Sequence, residues 1–421
     1  MLKRIPVSQL RVGMHVHELC GSWLDHPFWR TRFMLKEARD LARIVDGGVR
    51  DVWIDASKGL DVEPAGGDAA KPALSREDVD RQIDLELALA VETVRPARVS
   101  MDAELERATR ICQKARGAVI SMFSEARMGK AIDAEGALQL VDEINGSIER
   151  NPGALVSLAR LKTVDDYTYM HSVAVCGLMI SLGRQLGLDA PKLREAGLAG
   201  LLHDMGKALV PMHVLNKPGK LTDAEFDVMK KHPELGHGLL LKAGTAGEMA
   251  LDVCLHHHER IDGTGYPHRL DGRRISLYAK MGAVCDVYDA ITSNRPYKAG
   301  WNPAESIRRM AEWAPGHFDE RVFHAFVKSV GIYPVGSLVR MASGRLGVVI
   351  EQNEAALTTP KVKLFFSTRA DMRIPPEVID LSHKGESDRI ASREDPDKWA
   401  FRDLDVIWAG DNALAARPKA A

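Results

Sequence analysis

No stretch of the 421-residue chain approaches the ~18 consecutive apolar residues of a membrane-spanning helix. The N-terminal MLKRIPVSQL also lacks an apolar core of signal-peptide length, so a cytoplasmic protein without a membrane span is expected. Net charge is almost absent: 57 Lys and Arg against 58 Asp and Glu leave −1. That balance argues against a binder of nucleic acid polymers, which needs a basic footprint, while leaving room for a local basic pocket for a small phosphate ligand. The five cysteines, Cys20, Cys112, Cys176, Cys254 and Cys285, are odd in number and widely spaced. Most sit in apolar helical runs such as VAVCGLM, so they read as reduced core residues and not as a disulfide framework. There is no internal repeat and no phosphoacceptor pattern of a receiver domain.

What is present is organised in blocks. Hydrophobic content of 45% and charged content of 27% are those of an ordinary globular protein. Residues 1–55 alternate β-like runs, RIPVSQL, MHVHEL and VRDVWID, with one helical stretch, LKEARDLARIVD, as in a small α+β module with a regulatory or dimerising role. Residues 56–75 are rich in Gly, Ala and Pro without periodicity and read as a linker. From Ser75, an N-cap candidate with Asp78 three residues on, a helical pattern continues over 76–131, broken at Pro96. This connector is either a dimer stalk or a partner packed on the next domain. Residues 132–333 are helical nearly throughout, punctuated by NPG at 151, KPGK at 217 and DGTGYP at 262. After Pro334, VGSLVRMASGRLGVVIEQN and KVKLFFS alternate β-branched residues around Gly344, so hairpins are expected in a 334–421 extension with a flexible tail. The expected fold class is mainly α: an all-α catalytic domain with a small α+β N-terminal module and a small β-containing C-terminal extension.

Chemistry concentrates in the helical block. Of 15 histidines, eight lie between 171 and 258. His203-Asp204 ends an apolar helix, LREAGLAGLLHDMGK, where ionisable groups are costly to bury without partners. Other candidates stand on neighbouring helices: His171 in YTYMHSVAVCGLM, His232 in MKKHPELG, the run His256, His257, His258, and Asp286 on an apolar face beside Val284 and Val287. Imidazole and carboxylate together suit Mn, Fe or Zn better than Ca or Mg. The set is too large for one tetrahedral site. Two metals sharing a carboxylate would use it, and such pairs, ~3.5–4 Å apart, characteristically act on phosphate esters. Lys207, three residues after Asp204, shares its face and could meet a phosphate oxygen. Periodicity leaves open whether His256 or His257 extends the stripe of Met249, Ala250, Val253 and Cys254.

HS at 171, HDMGK at 203–207, KPGKLTDAEFDVMKKHPELG at 217–236, HHERIDGTGYP at 257–267 and CDVYDAITSNRPYK at 285–298 together resemble the HD-GYP family. These are HD phosphohydrolases that hydrolyse the bacterial second messenger cyclic di-GMP, and the resemblance spans roughly residues 140–330. It implies the pair His257 and His258, with His256 as the extra ring, and the ligand set His171, His203, Asp204, His232, His257, His258 and Asp286. Asp204 would bridge two divalent transition-metal ions, iron or manganese before zinc or nickel, and water acidified between them would supply the nucleophile. Lys207, Arg295 and Lys298 would face ligand phosphates, and Gly265, Tyr266 and Pro267 would form the pocket wall or a surface for partner domains. Some members hold a third metal through a glutamate four residues before the first histidine. Tyr167 stands there, so two metals are expected, with Asp165 or Asp166 as conceivable additions.

The implied activity is opening of cyclic di-GMP to linear pGpG, with a further cut to GMP in reach. Another cyclic dinucleotide would serve the same metal ligands. The rival is a catalytically weak cyclic di-GMP sensor or scaffold that binds a diguanylate cyclase (GGDEF) domain, and a homodimer is a further partner reading. Each histidine alone is more often structural than a ligand, but the ordered ensemble is not. His15 and His17, without a third ligand at sensible spacing, are read as surface histidines. His213, His237, His268, His317, His324 and His383 are read as structural or exposed, and Met101, Met122 and Met128 as core. The N-terminal module resembles an uncharacterised domain often found ahead of HD-GYP domains.

Overall fold

Alternation of apolar residues in the first 55 positions produces strands. In the computed structural model, β1 (Leu2–Pro6), β2 (His15–Leu19), β3 (Phe33–Met34) and β4 (Asp51–Asp55) form one antiparallel sheet in the order β1-β4-β2-β3. The structure describes residues 2–19, 33–37, 41, 44–45, 51–61, 98–130, 133–161, 167–244, 246–293, 300–353 and 355–412. They divide into two units, Met1–Arg95 and Pro96–Ala421. In the first, Ile5, Met14, Val16, Val52 and Ile54 close a small core with Leu10, Leu35 and Ile44. The two residues of β3 are too few for an alternating signal. Of the helix expected over LKEARDLARIVD, Leu35, Lys36 and Glu37 are described and are not helical, whereas Leu41, Ile44 and Val45 are described and helical. Ser75, Asp78 and most of the expected linker lie outside the described residues, as does Cys20. His17 corrects an expectation: it is buried, because β2 shifts register between Val16 and Glu18 and the irregularity breaks the simple in–out alternation.

The second unit begins with α1 (Met101–Arg127), capped by the Ser100 side chain, which accepts from the Ala103 N–H. Its buried positions, Leu105, Ala108, Cys112, Ala115, Val119, Met122, Phe123 and Ala126, recur every three or four residues and face the helices that follow. These are α2 (Ala134–Arg150), α3 (Pro152–Ala159) and α4 (Tyr167–Gln185). The NPG sequence separates α2 from α3: Asn151 caps α3 through its side chain and Pro152 takes the first helical position, where no N–H is needed. A buried carboxylate joins α1 to α2, Glu104 accepting from Ser147 Oγ at 2.9 Å and from Arg150 Nε and Nη2 at 2.8 Å each. Met128, expected in the core, follows the last turn of α1 and is 59% exposed. Helix α4 is buried on all sides from Met170 to Gly183, which makes it the centre of the bundle.

Helices α5 (Ala190–Leu202), α8 (Leu277–Thr292) and α10 (Glu320–Val330) also pack on α4, α6 (His232–Ala243) and α7 (Glu248–His256) pack on each other with α7 against α5, and α9 (Pro303–His317) packs on α8 and α10. After them the expected hairpins form, with strands β5 (Leu338–Met341), β6 (Arg345–Glu351) and β7 (Lys361–Ser367). They are joined by β8 (Met372–Asp380) and β9 (Ile390–Arg393) in a sheet ordered β8-β7-β6-β5-β9, and by α11 (Leu404–Ala409). Leu338, Leu346, Val348, Phe365, Leu404 and Trp408 share one core with Met101, Leu105, Leu155 and Leu158. Each such side chain contributes roughly 1.5–3 kcal/mol by leaving water, so the sheet is fused to the bundle by apolar burial. The described cysteines, Cys112, Cys176, Cys254 and Cys285, are free and buried, as their apolar settings imply. No helix among the described residues is long and apolar enough to cross a membrane.

Candidate metal centre

Five helices deliver polar side chains to one buried space. His171 comes from the second turn of α4, His203 closes α5, and Asp204 opens the short 3-10 turn Met205–Leu209. His232 begins α6, His257 and His258 follow the end of α7, and Asp286 lies in α8. The HD turn and the start of α6 touch through Gly206, where an added Cβ would lie 1.8 Å from His232 O and 2.5 Å from Gly236 N. Only glycine permits that approach, and it holds Asp204 beside His232.

Backbone carbonyls fix the rings. His203 Nδ1 donates to Gly200 O at 2.7 Å, His232 Nδ1 to Met229 O at 2.8 Å, and His257 Nδ1 to Val253 O at 3.0 Å. With Nδ1 protonated, each neutral ring turns an Nε2 lone pair inward. His232 Nε2 and His257 Nε2 then face each other at 3.3 Å with no proton between them, and His203 Nε2 is buried without a partner. Lone pairs so placed repel unless a cation is shared, which is the chemistry of a metal site.

Asp204 stands between two sets of rings. Its Oδ2 is 3.4 Å from His203 Nε2 and 3.6 Å from His171 Nε2, while its Oδ1 is 3.2 Å from His232 Nε2 and 3.8 Å from His257 Nε2. Asp286 Oδ1 meets His171 Nε2 at 2.9 Å, and its Oδ2 lies 3.6 Å from His258 Nδ1. Three overlapping triads result: His171, His203 and Asp286; His203, Asp204 and His257; His232, His257 and His258. The cluster is able to bind divalent metal, and its nitrogen and oxygen donors suit Fe, Mn or Zn.

Charge in this pocket is arranged for ligation. Burial opposes ionisation of Asp204, but Lys207 and the neighbouring histidines overcome it and hold the carboxyl well below its ordinary range; His171 and His258 do the same for Asp286. Burial pushes His203 and His257 down, and pushes His258 down to about 3, so these rings are neutral at pH 7. His171 moves up: burial opposes its protonation, but hydrogen bonds to Asp286 and Asp289 win.

The other residues singled out in the sequence distribute around this core. Lys207 Nζ pairs with Asp204 Oδ2 at the edge of the cluster. Tyr266 lies against His258 with ring centroids 4.6 Å apart. Its loop is tied down by Glu259, whose carboxylate accepts from His268 N at 2.6 Å and Leu270 N at 2.9 Å. Gly265 is required there, since a Cβ would come within 2.5 Å of Arg260 N. Pro267 follows a cis peptide in the same loop. His256 turns away, to Asp252 at 2.8 Å and His268 at 3.1 Å, which leaves His257 and His258 as the inward pair. Arg295, Lys298, Asp165 and Asp166 lie outside the described residues. Tyr167 stacks on His171 with centroids 5.8 Å apart.

Sequence reasoning missed Asp289. Its Oδ2 is 2.6 Å from His171 Nδ1, so it completes a carboxylate–imidazole pair behind the cluster. The signal was present: Asp289 follows Asp286 by three residues, which on a helix puts both acids on one side.

Comparison with known proteins places this site in context. The chain matches a family described as a domain of unknown function over residues 2–137 and the HD domain family over residues 147–322. It is 57% identical over 411 residues to a cyclic di-GMP phosphodiesterase of Pseudomonas aeruginosa, covering 97% of this chain and 96% of that protein. It is 37% identical to a cyclic di-GMP phosphodiesterase response regulator of Xanthomonas campestris pv. campestris over 49% of this chain and 54% of that one. A 3′3′-cGAMP-specific phosphodiesterase of Vibrio cholerae is 34% identical over 39% of this chain and 38% of its own.

Proposed function

The chain belongs to the HD-GYP family of HD-domain phosphohydrolases, and from that membership we propose a metal-dependent phosphodiesterase that opens cyclic di-GMP to linear pGpG, with GMP as the product of a second cut. The observation that carries this reading is the position of Asp204, whose two carboxylate oxygens face two different sets of imidazoles. Under it, His171, His203 and Asp286 would hold one divalent cation and His232, His257 and His258 a second, with Asp204 shared. Bound cations supply the positive charge that makes water a competent nucleophile near pH 7.

The chain's own groups do the remainder. The carbonyl-bound Nδ1 atoms of His203, His232 and His257 orient each ring so that Nε2 faces the cluster. Lys207, 19% exposed and beside Asp204, is placed to offset charge on a non-bridging phosphate oxygen as it grows in the transition state. The Tyr266 ring against His258 forms a wall for the dinucleotide, with Gly265 and Pro267 in the same loop. Arg295 and Lys298 are read, with Lys207, as contacts to the ligand phosphates. A GGDEF domain docked on this loop, and a homodimer, are the partner readings that accompany the function.

The full set of seven ligating side chains supports hydrolysis over a binding-only receptor, which has no use for all of them. Chromatography of products from cyclic di-GMP and from 3′3′-cGAMP, with wild type and Asp204→Ala, tests the reading. Appearance of pGpG or GMP with wild type only is expected. Nucleotide binding without turnover by metal-loaded wild type would transfer the protein to the sensor class.

A further inference from the structure

A second pocket lies within the same unit and shares a wall with the metal centre without containing any of its seven candidate ligands. It is a partly open cavity of about 110 Å³ where the start of α3 and the flanks of α4 and α8 meet the segment that enters β5. One water needs roughly 10–15 Å³ of such space, so the cavity has room for a small organic molecule. Its walls are largely apolar, with Val156, Leu178, Tyr288 and Val335 among them.

The charges at these walls are unequal. Two acids contribute, and both are engaged elsewhere: Asp289 Oδ2 with His171 Nδ1 at 2.6 Å, and Glu351 Oε2 with Lys361 Nζ at 3.1 Å. Of the cations, Arg150 is held by Glu104 at 2.8 Å, and Arg98 adds charge of the same sign. Arg160 donates to Val335 O at 3.1 Å and makes no ion pair, and Lys328 likewise has no carboxylate partner among the described residues. The N-terminus of α3, at Asn151–Gly153, turns the positive end of a helix toward the same space. Apolar sides beside two cations that have no carboxylate partner among the described residues suit an amphipathic anion.

We propose that this cavity is a second ligand site, separate from the metal centre, that takes a small organic anion: a carboxylate or phosphate head against Arg160 and Lys328, and an apolar body against Val156, Leu178 and Tyr288. Asp289 and its neighbours Tyr288 and Thr292 on α8 put the ligand one side chain away from His171.

Calorimetric titration of the metal-loaded chain with phenylphosphonate and with benzoate tests this, with inorganic phosphate as the head group alone. Wild type, Arg160→Met/Lys328→Met and Asp204→Ala are compared. Lys328→Glu serves beside the double variant, because Lys328 is exposed and its change leaves the Arg160–Val335 contact intact. At least one aromatic anion is expected to bind about tenfold or more tighter than phosphate, to weaken about tenfold in the double variant and in Lys328→Glu, and to bind Asp204→Ala as it binds wild type. Binding that disappears in Asp204→Ala but survives the cation changes would place the probe on the metal centre and overturn the proposal. Absence of binding by both aromatic probes to wild type up to about 10 mM would overturn it as well.

Discussion

Replacing Asp289 is the most informative change outside the ligands themselves. His171 points Nε2 at Asp286 and Asp204 and keeps Nδ1 2.6 Å from Asp289 Oδ2, with both residues buried. Asp289→Asn retains an acceptor of the same shape but removes its charge. A hydrogen bond to a charged partner contributes roughly 1.5–3 kcal/mol and a neutral one roughly 0.5–1.5, so the substitution costs about 1–1.5 kcal/mol. That is roughly a tenfold loss in metal affinity. Asp289→Ala also strands a buried ring N–H, and the loss should approach ~100-fold, the upper end for removal of a partner behind a ligand. Chelator-competition titrations with manganese, with thermal melts of the metal-free variants alongside, give the comparison. The expected order is wild type, then Asn, then Ala, with metal-free melting temperatures changing far less for Asn than for Ala. If both variants bind metal within about twofold of wild type, Asp289 does not position His171 and the reasoning fails.

Lys207→Met keeps the aliphatic stem and deletes the charge, so kcat should fall about 10²–10³-fold with metal content unchanged; loss of metal in step with kcat would assign Lys207 a structural part. Gly206→Ala forces a Cβ to within 1.8 Å of His232 O, and the overlap should cost at least about 3 kcal/mol by chemical denaturation. An unchanged denaturation midpoint would mean that the HD turn and α6 are not in contact. In metal-free protein, His203, His257 and His258 sit below the ordinary 6.5 and His171 above it. The unfolded chain therefore binds more protons than the folded one below about pH 6.5, and the stability those three rings contribute, complete above that pH, is lost on acidification. Melting temperature of chelator-treated protein should fall from about pH 7.5 to about pH 5, and a flat profile would contradict the assignment of buried neutral rings.

Much of this was legible in the sequence, for identifiable reasons. Helical periodicity located the bundle, and β-branched alternation around Gly344 located the β5–β6 hairpin, because both patterns follow from which face is buried. Histidines at element ends and an aspartate on an apolar face pointed to one cluster, since such groups are costly to bury singly. The order of motifs separated His257 and His258 from His256, and the structure supplies the physical reason: His256 has its own partners in Asp252 and His268. What escaped depended on tertiary context. Asp289 reads as one more acid until His171 is placed beside it. The burial of His17 depends on a register shift in β2, and fusion of the C-terminal sheet to α1 and α3 depends on residues far apart in the sequence, such as Leu155 and Leu338.

The central claim is a shared carboxylate between two metal positions. It is tested most directly by counting metal per chain on anaerobically purified protein while measuring cyclic di-GMP turnover on the same sample, for wild type and Asp204→Ala. Close to two divalent ions in active wild type, with loss of both metal and turnover in Asp204→Ala, is the predicted result. Full turnover at one ion per chain, or undiminished metal content and activity in Asp204→Ala, would contradict it.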